Sequence, residues 1–223
     1  MATWMVHLRV ADYFLDRFDK SCGDEFLIGS VAPDCGYGQK DSFSGFVPPT
    51  TVTHWTESGR KSEIDLDSFF ATYLKNADVW GEAAFYLGYF IHLLTDVKWS
   101  SEMYLPTRIK YHDEYAKNPE FLLEIKKDWN DLDHRFLYEN PAFRAFDRFC
   151  RIKEIGDYLP YYEPGQLKKQ CGVIADYYKS FDDIGRVYRE YQYLTPERQN
   201  EFVGLICQSV TRFLSAVGIM ADV

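Results

Sequence analysis

The sequence has no CxxC pair, no apolar run long enough to cross a membrane, and no sustained alternation of apolar and polar residues. Each absence excludes something. Without CxxC there is no redox dithiol motif and no zinc-ribbon framework. The cysteines are five, an odd number: Cys22, Cys35, Cys150, Cys171 and Cys207. They read as free thiols of a reducing compartment rather than as a disulfide scaffold. A membrane helix needs about 20 consecutive apolar residues, and acidic residues such as Asp12 and Asp16 already interrupt the first segment. No secretory leader is read there, so the expectation is a soluble, cytoplasmic protein without stable membrane association. Basic clusters are equally scarce. The net charge is −9, and the densest basic sites are the pairs Lys126-Lys127 and Lys168-Lys169. That balance repels nucleic acid, which is not expected as a partner. No repeat, low-complexity tract or linker divides the chain, so residues 1–223 are expected to form one domain.

What is present is apolar and aromatic. Hydrophobic residues make up 46% of the chain and aromatics 17%, enough for a core rich in large rings. The apolar positions recur at helical spacing. Trp4, Leu8, Ala11, Phe14, Leu15 and Phe18 make one stripe behind Thr3, an N-cap residue type. A second run, Phe26 to Ala32, ends at Pro33, because the residue before proline avoids helical geometry. Residues 34–64, rich in Gly, Pro, Ser and Thr, read as a long loop, and such loops inside a domain are usually functional or disordered. Glu82 to Trp99 is apolar nearly all round and predicts a buried central helix. Further helices are expected near Pro119–Tyr138, after Pro141, near 166–179 and near 182–192, and behind Thr195-Pro196-Glu197. The fold class is therefore all-α, a single-domain multi-helix bundle.

The histidines are five, few enough to weigh singly. His92 and Asp96 are four residues apart, which places them on one face of the central helix, one turn from each other. Gly88, a turn earlier, leaves that face open. A carboxylate on a buried helix needs a cation, a hydrogen-bond network or an exposed helix end. The pair is a metal-binding pair or a buried His–Asp hydrogen bond. His7 lies within the apolar sector of the first helix, where a satisfied core histidine is the commoner case. Asp34 follows the Ser30–Pro33 helix end, and His54 sits in Thr53-His54-Trp55; loops held by rigid helices commonly supply ligands. In the helix near 121–137, Asp128 falls about 60° from Ile125 and nearest the buried side, Asp133 about 80° away on the other edge, and Asp131 about 120° away, toward solvent.

In this order, Trp4-Met5-Val6-His7, Gly29-Ser30-Val31-Ala32-Pro33-Asp34, Thr53-His54-Trp55 and Tyr86 through Asp96 with its Gly88, His92 and Asp96 resemble the zinc-dependent phospholipase C family and its nuclease-like relatives. The resemblance covers roughly the first hundred residues. It implies an all-helical fold holding a cluster of metal ions between helices. Asp34, His54, His92 and Asp96 match the ligands of one metal, a donor set that suits Zn2+ and also admits Mn2+ or Fe2+. His7 matches a ligand of a second metal that shares Asp96. The family's second metal also takes the amine of an N-terminal tryptophan, whereas Trp4 here lies inside the chain. For the third metal, Glu102 stands at the first position and Asp128 is the best substitute for the next. Metal-assisted phosphoester hydrolysis follows from the resemblance, with Asp34 as the catalytic general base. The ligand count predicts one tight zinc, a second dependent on conditions and a third seen with added hard cation. The expected function is thus a metal-dependent, phospholipase C-like phosphoesterase acting on a small soluble substrate. The alternative is a non-catalytic helical protein with a degraded or structural metal site.

Overall fold

A computed structural model describes residues 1–18, 20–39 and 45–220. The chain is built from helices: α1 (Trp4–Phe14), α2 (Lys20–Val31), α3 (Thr50–Thr53), α4 (Leu66–Tyr73), α5 (Ala84–Trp99), α6 (Leu105–Lys110), α7 (His112–Lys117), α8 (Phe121–Glu139), α9 (Arg144–Phe149), α10 (Gln166–Lys179), α11 (Ile184–Val187) and α12 (Pro196–Ala216). Among the described residues the sheet content is one antiparallel pair, β1 (Tyr37–Gly38) with β2 (Phe46–Val47). The all-α expectation holds. Among the described residues no helix is long and apolar enough to cross a membrane.

The capping chemistry follows the sequence. The Thr3 hydroxyl accepts from the Val6 N–H and opens α1. Thr195 does the same for Arg198 N–H at the head of α12, with Pro196 in the first turn, where its missing N–H costs nothing. Two departures occur. The segment 182–192 yields only the four-residue α11. The stretch 34–64 is more structured than a loop: it carries the β pair, α3 and a 3-10 turn at Lys61–Glu63. Its residues 40–44 lie outside the described residues.

Helix α5 is the axis of the molecule. It is buried on nearly every side, from Ala84 to Trp99, as the all-round apolar pattern requires. It lies against α2 at backbone distance. A Cβ on Gly29 would overlap the Phe85 carbonyl, and one on Gly88 would overlap the Phe26 carbonyl and stand 2.9 Å from the Ser30 nitrogen. The two glycines are therefore what allow these helices to touch. Helix α4 brings Phe69 onto Tyr89, ring centroids 5.0 Å apart. Trp99, at the far end of α5, packs edge-on against Trp129 and Phe202.

Candidate metal centre

Three local devices converge on one face of α5. The first is the contact of α2 and α5 at Gly29 and Gly88. It sets His92, one turn beyond Gly88, beside the end of α2, where the Ser30 carbonyl accepts from His92 Nδ1 at 2.8 Å. A proton fixed on Nδ1 leaves the Nε2 lone pair to face inward. The second is the 3-10 turn Ala32–Asp34, which follows α2 at Pro33 and carries Asp34 back toward α5. The third is α3. The Tyr89 hydroxyl donates to the Thr53 carbonyl, and the Thr53 hydroxyl lies 2.9 Å from His54 Nδ1. Trp55 then adopts φ 49°, a left-handed conformation uncommon for a bulky residue, and turns the chain away just past His54.

The result is a cluster of five side chains. His54 Nε2 lies 3.3 Å from Asp34 Oδ1 and 3.5 Å from Asp96 Oδ2. His92 Nε2 lies 3.9 Å from Asp34 Oδ1 and 3.8 Å from Asp96 Oδ2. His7 Nε2 is 3.6 Å from Asp96 Oδ1, and its ring stacks on His92 with centroids 3.6 Å apart. Donor atoms of Asp34, His54 and His92 fall within 4.8 Å of one another, as do those of His7, His92 and Asp96. The residue common to the two groups is His92, whereas Asp96 is the shared ligand that the resemblance implies.

All five side chains are almost wholly buried, Asp34 being the most exposed at 4%. Yet both nitrogens of His7, Nε2 of His54 and of His92, Oδ2 of Asp34 and Oδ2 of Asp96 have no hydrogen-bond partner. Unpartnered buried polar atoms are rare in folded proteins and each carries a desolvation penalty. Their residues make up two overlapping groups that share His92, and donor atoms gathered in this way fit a divalent cation. The protonation states fit as well. Burial alone would raise both carboxyls. His54 and His92 against Asp34, and His7 with Lys61 against Asp96, outweigh that and hold both below the usual carboxylate range. Burial pushes the His54 and His92 imidazoles down, His92 further because of neighbouring His7. Neutral imidazoles beside ionised carboxylates are the forms that bind metal.

The structure does not bring Glu102 or Asp128 to this cluster. Glu102 is exposed on the π-helical turn Ser100–Tyr104, and its carbonyl meets Arg198. Asp128 is buried as its helical phase predicts, but it accepts from the Tyr193 and Leu194 N–H groups at 2.5 and 3.3 Å and pairs with Arg189 at 2.6 Å. Its oxygens are already used. Asp131, expected toward solvent, is 2% exposed and paired with Arg186 and Arg189. Asp131 does point away from the Ile125 side, but the segment 184–194 covers that face. Asp133 is buried too, accepting from the Thr3 and Tyr178 hydroxyls at 2.7 and 2.8 Å.

Two participants had no sequence signal. The Ala2 N–H donates to Asp96 Oδ1 at 2.8 Å. Lys61 Nζ stands 3.3 Å from Asp96 Oδ2, with its side chain 12% exposed. Burial lowers the Lys61 ammonium against the opposing pull of Asp96 and Asp34. Ala2 also lines a cleft of about 240 Å3, bounded by Trp4, Lys126, Trp129 and Tyr177.

No curated protein and no solved structure matches the chain. A family model described as zinc-dependent phospholipase C matches residues 6–155. That span is well over half of the sequence and contains His7, Asp34, His54, His92 and Asp96. The chain belongs to the zinc-dependent phospholipase C family.

Proposed function

We propose that the protein is a metal-dependent phosphoric ester hydrolase whose centre is built from Asp34, His54, His92, Asp96 and His7. The observation that carries the reading is the set of buried, unpartnered donor atoms gathered in two overlapping groups that share His92. Two imidazole nitrogens and a carboxylate oxygen, with a second carboxylate alongside, are a donor set suited to zinc, with Mn2+ or Fe2+ also accommodated. A metal held there supplies Lewis acidity toward a phosphoryl oxygen and makes water more acidic.

The chain's own residues have separable roles. Ser30 and Thr53 orient the His92 and His54 rings through Nδ1. Asp34 is the general base in this reading, which its ionised state and its Oδ2 without a hydrogen-bond partner support. The five side chains are almost wholly buried, which strengthens each charge interaction among them. The cleft beside Ala2 offers rings for an apolar leaving group and Lys126 for an anionic one. A small phosphoester suits its size. A cytoplasmic location is supported by the five cysteines, none of which is in a disulfide among the described residues.

A second reading, a structural metal in a non-catalytic helical protein, is favoured by one observation: the cluster is closed, with Lys61 seated on Asp96. Catalytic sites keep an open position. Elemental analysis of protein purified without added metal, followed by a screen of phosphomonoesters and phosphodiesters, separates the two. Stoichiometric metal with turnover abolished in His92→Ala supports the hydrolase. Metal without turnover of any phosphoester supports the structural site, and absence of metal sinks both.

A further inference from the structure

We propose that the cleft beside Ala2 is a substrate subsite for a phosphoester whose alcohol portion is a single aromatic ring bearing an anionic group, and that Lys126 is the specificity-determining residue that receives this anion. The inference rests on the hydrolase reading above and names the substrate class which that reading leaves open. Three helices supply the walls. Trp4, at the head of α1, stands edge-on against Tyr177 of α10, ring centroids 5.7 Å apart. Trp129 of α8 is packed edge-on by Trp99, three residues beyond Asp96, at 5.2 Å. Walls of this kind favour an aromatic guest, which meets them stacked or edge-on. The volume, about 240 Å3, lies below the roughly 300–1,000 Å3 of drug-sized sites, so it takes one ring with a small substituent. Ala2 lines the cleft and donates its N–H to Asp96 Oδ1 at 2.8 Å. The cleft and the metal centre thus share that residue as their boundary.

The polar side of the cleft belongs to α8. Lys126 and Asn130 line it one helical turn apart. The neighbouring Lys127 is paired with Glu124 at 2.6 Å. Lys126 has no carboxylate within ion-pair distance among the described residues. The other cations at this end are taken: Lys61 lies 3.3 Å from Asp96 Oδ2, and the Met1 amine has Asp96 as its chief counter-charge. Lys126 is therefore the ammonium that faces the cleft with its charge unmatched. Rings beside it displace part of its water. A neutral alcohol would leave that loss uncompensated, whereas an anionic substituent restores it through a charged hydrogen bond. The Asn130 amide offers a further donor to the same group.

The test is titration calorimetry of the full-length protein with para-hydroxybenzoate, which carries the ring and the anion without the reacting phosphate. Neutral para-hydroxybenzamide and ring-free acetate are the comparison ligands. Wild type, Lys126→Met, Lys126→Arg and His92→Ala are titrated, and circular dichroism checks folding. Wild type should bind para-hydroxybenzoate more tightly than either comparison ligand by about tenfold or more. Lys126→Met should lose about tenfold, the effect of one charged hydrogen bond, and Lys126→Arg should restore it. His92→Ala should bind as wild type does. Turnover is the second arm. The kcat/KM ratio of para-carboxyphenyl phosphate to phenyl phosphate should fall about tenfold in Lys126→Met, through KM rather than kcat. Should Lys126→Met not fold, Lys126→Gln decides in its place. No binding by wild type, or equal binding by wild type and Lys126→Met, overturns the proposal and leaves the hydrolase reading intact. Binding lost in His92→Ala and kept in Lys126→Met puts the anion on the metal and also overturns it. Lys126-dependent binding in a protein that hydrolyses no phosphoester overturns the hydrolase reading, and with it the substrate role assigned to the cleft.

Discussion

Gly88 of α5 lies directly against the carbonyl of Phe26 in α2, with no room between them for a Cβ. This contact brings His92 within 2.8 Å of the Ser30 carbonyl. Packing of two helices and orientation of one imidazole are the same structural event.

Gly88→Ala should therefore lower both stability and metal affinity. The atoms that a Cβ would meet belong to the Phe26 and Ser30 backbone, which cannot move aside as a side-chain tip would. Overpacking of this kind costs about 1–3 kcal/mol or more. Urea unfolding and zinc titration of the variant check it. A variant as stable as wild type would show that the helices separate more easily than the contact implies.

His92→Ala should weaken metal binding by more than about 100-fold, beyond the 10–100-fold typical of outer-shell changes. His112→Ala should leave it unchanged. His112 is exposed beside Asp113, outside the cluster. Competition with a chromogenic chelator measures both.

Asp128→Ala should destabilise the fold and leave the metal count alone. Its carboxylate holds Arg189 and two backbone N–H groups. Breaking a buried ion pair costs about 3–5 kcal/mol, and the loss here should be about 2–3 kcal/mol because the Arg189 side chain is 31% exposed and recovers hydration. Thermal unfolding beside elemental analysis tests the separation. A lost metal equivalent in a well-folded variant would contradict it.

Asp133 gives a signature in pH. Burial raises its carboxyl to about 7, against the lowering effects of Thr3, Tyr178 and Arg9. The folded state therefore holds a proton that the unfolded chain releases near its ordinary value of 3.8. The favourable contribution is full below the unfolded value and is lost as pH rises through about 7. Asp133→Asn cannot lose a proton. Its stability relative to wild type should rise between about pH 4 and about pH 7, at up to about 1.4 kcal/mol per pH unit. Denaturant melts of both proteins at several pH values check it, and parallel curves would rule it out.

Much of this protein is determined by sequence alone. Thr3 and Thr195 cap their helices where a hydroxyl one turn ahead of an apolar stripe requires. The all-round apolar segment ending at Trp99 has only the interior to go to. His92 and Asp96 share a face because helical geometry allows no other arrangement at that spacing. Asp34 and His54 were legible as candidates through the punctuation around them, Pro33 and the loop before Trp55. Tertiary structure decided the rest, because periodicity describes one helix and not what lies across from it. Phase placed Asp128 near the core but could not foretell that Arg189 and the Tyr193 backbone would arrive to claim it. It sent Asp131 to solvent because the segment covering that face lies more than fifty residues away. Lys61 was invisible: a lone lysine in a polar loop has no local pattern, and only the folding of residues 55–65 onto α5 brings its ammonium to Asp96. Local chemistry set the helices and the candidate ligands. Long-range packing chose which carboxylates stayed free to bind a cation.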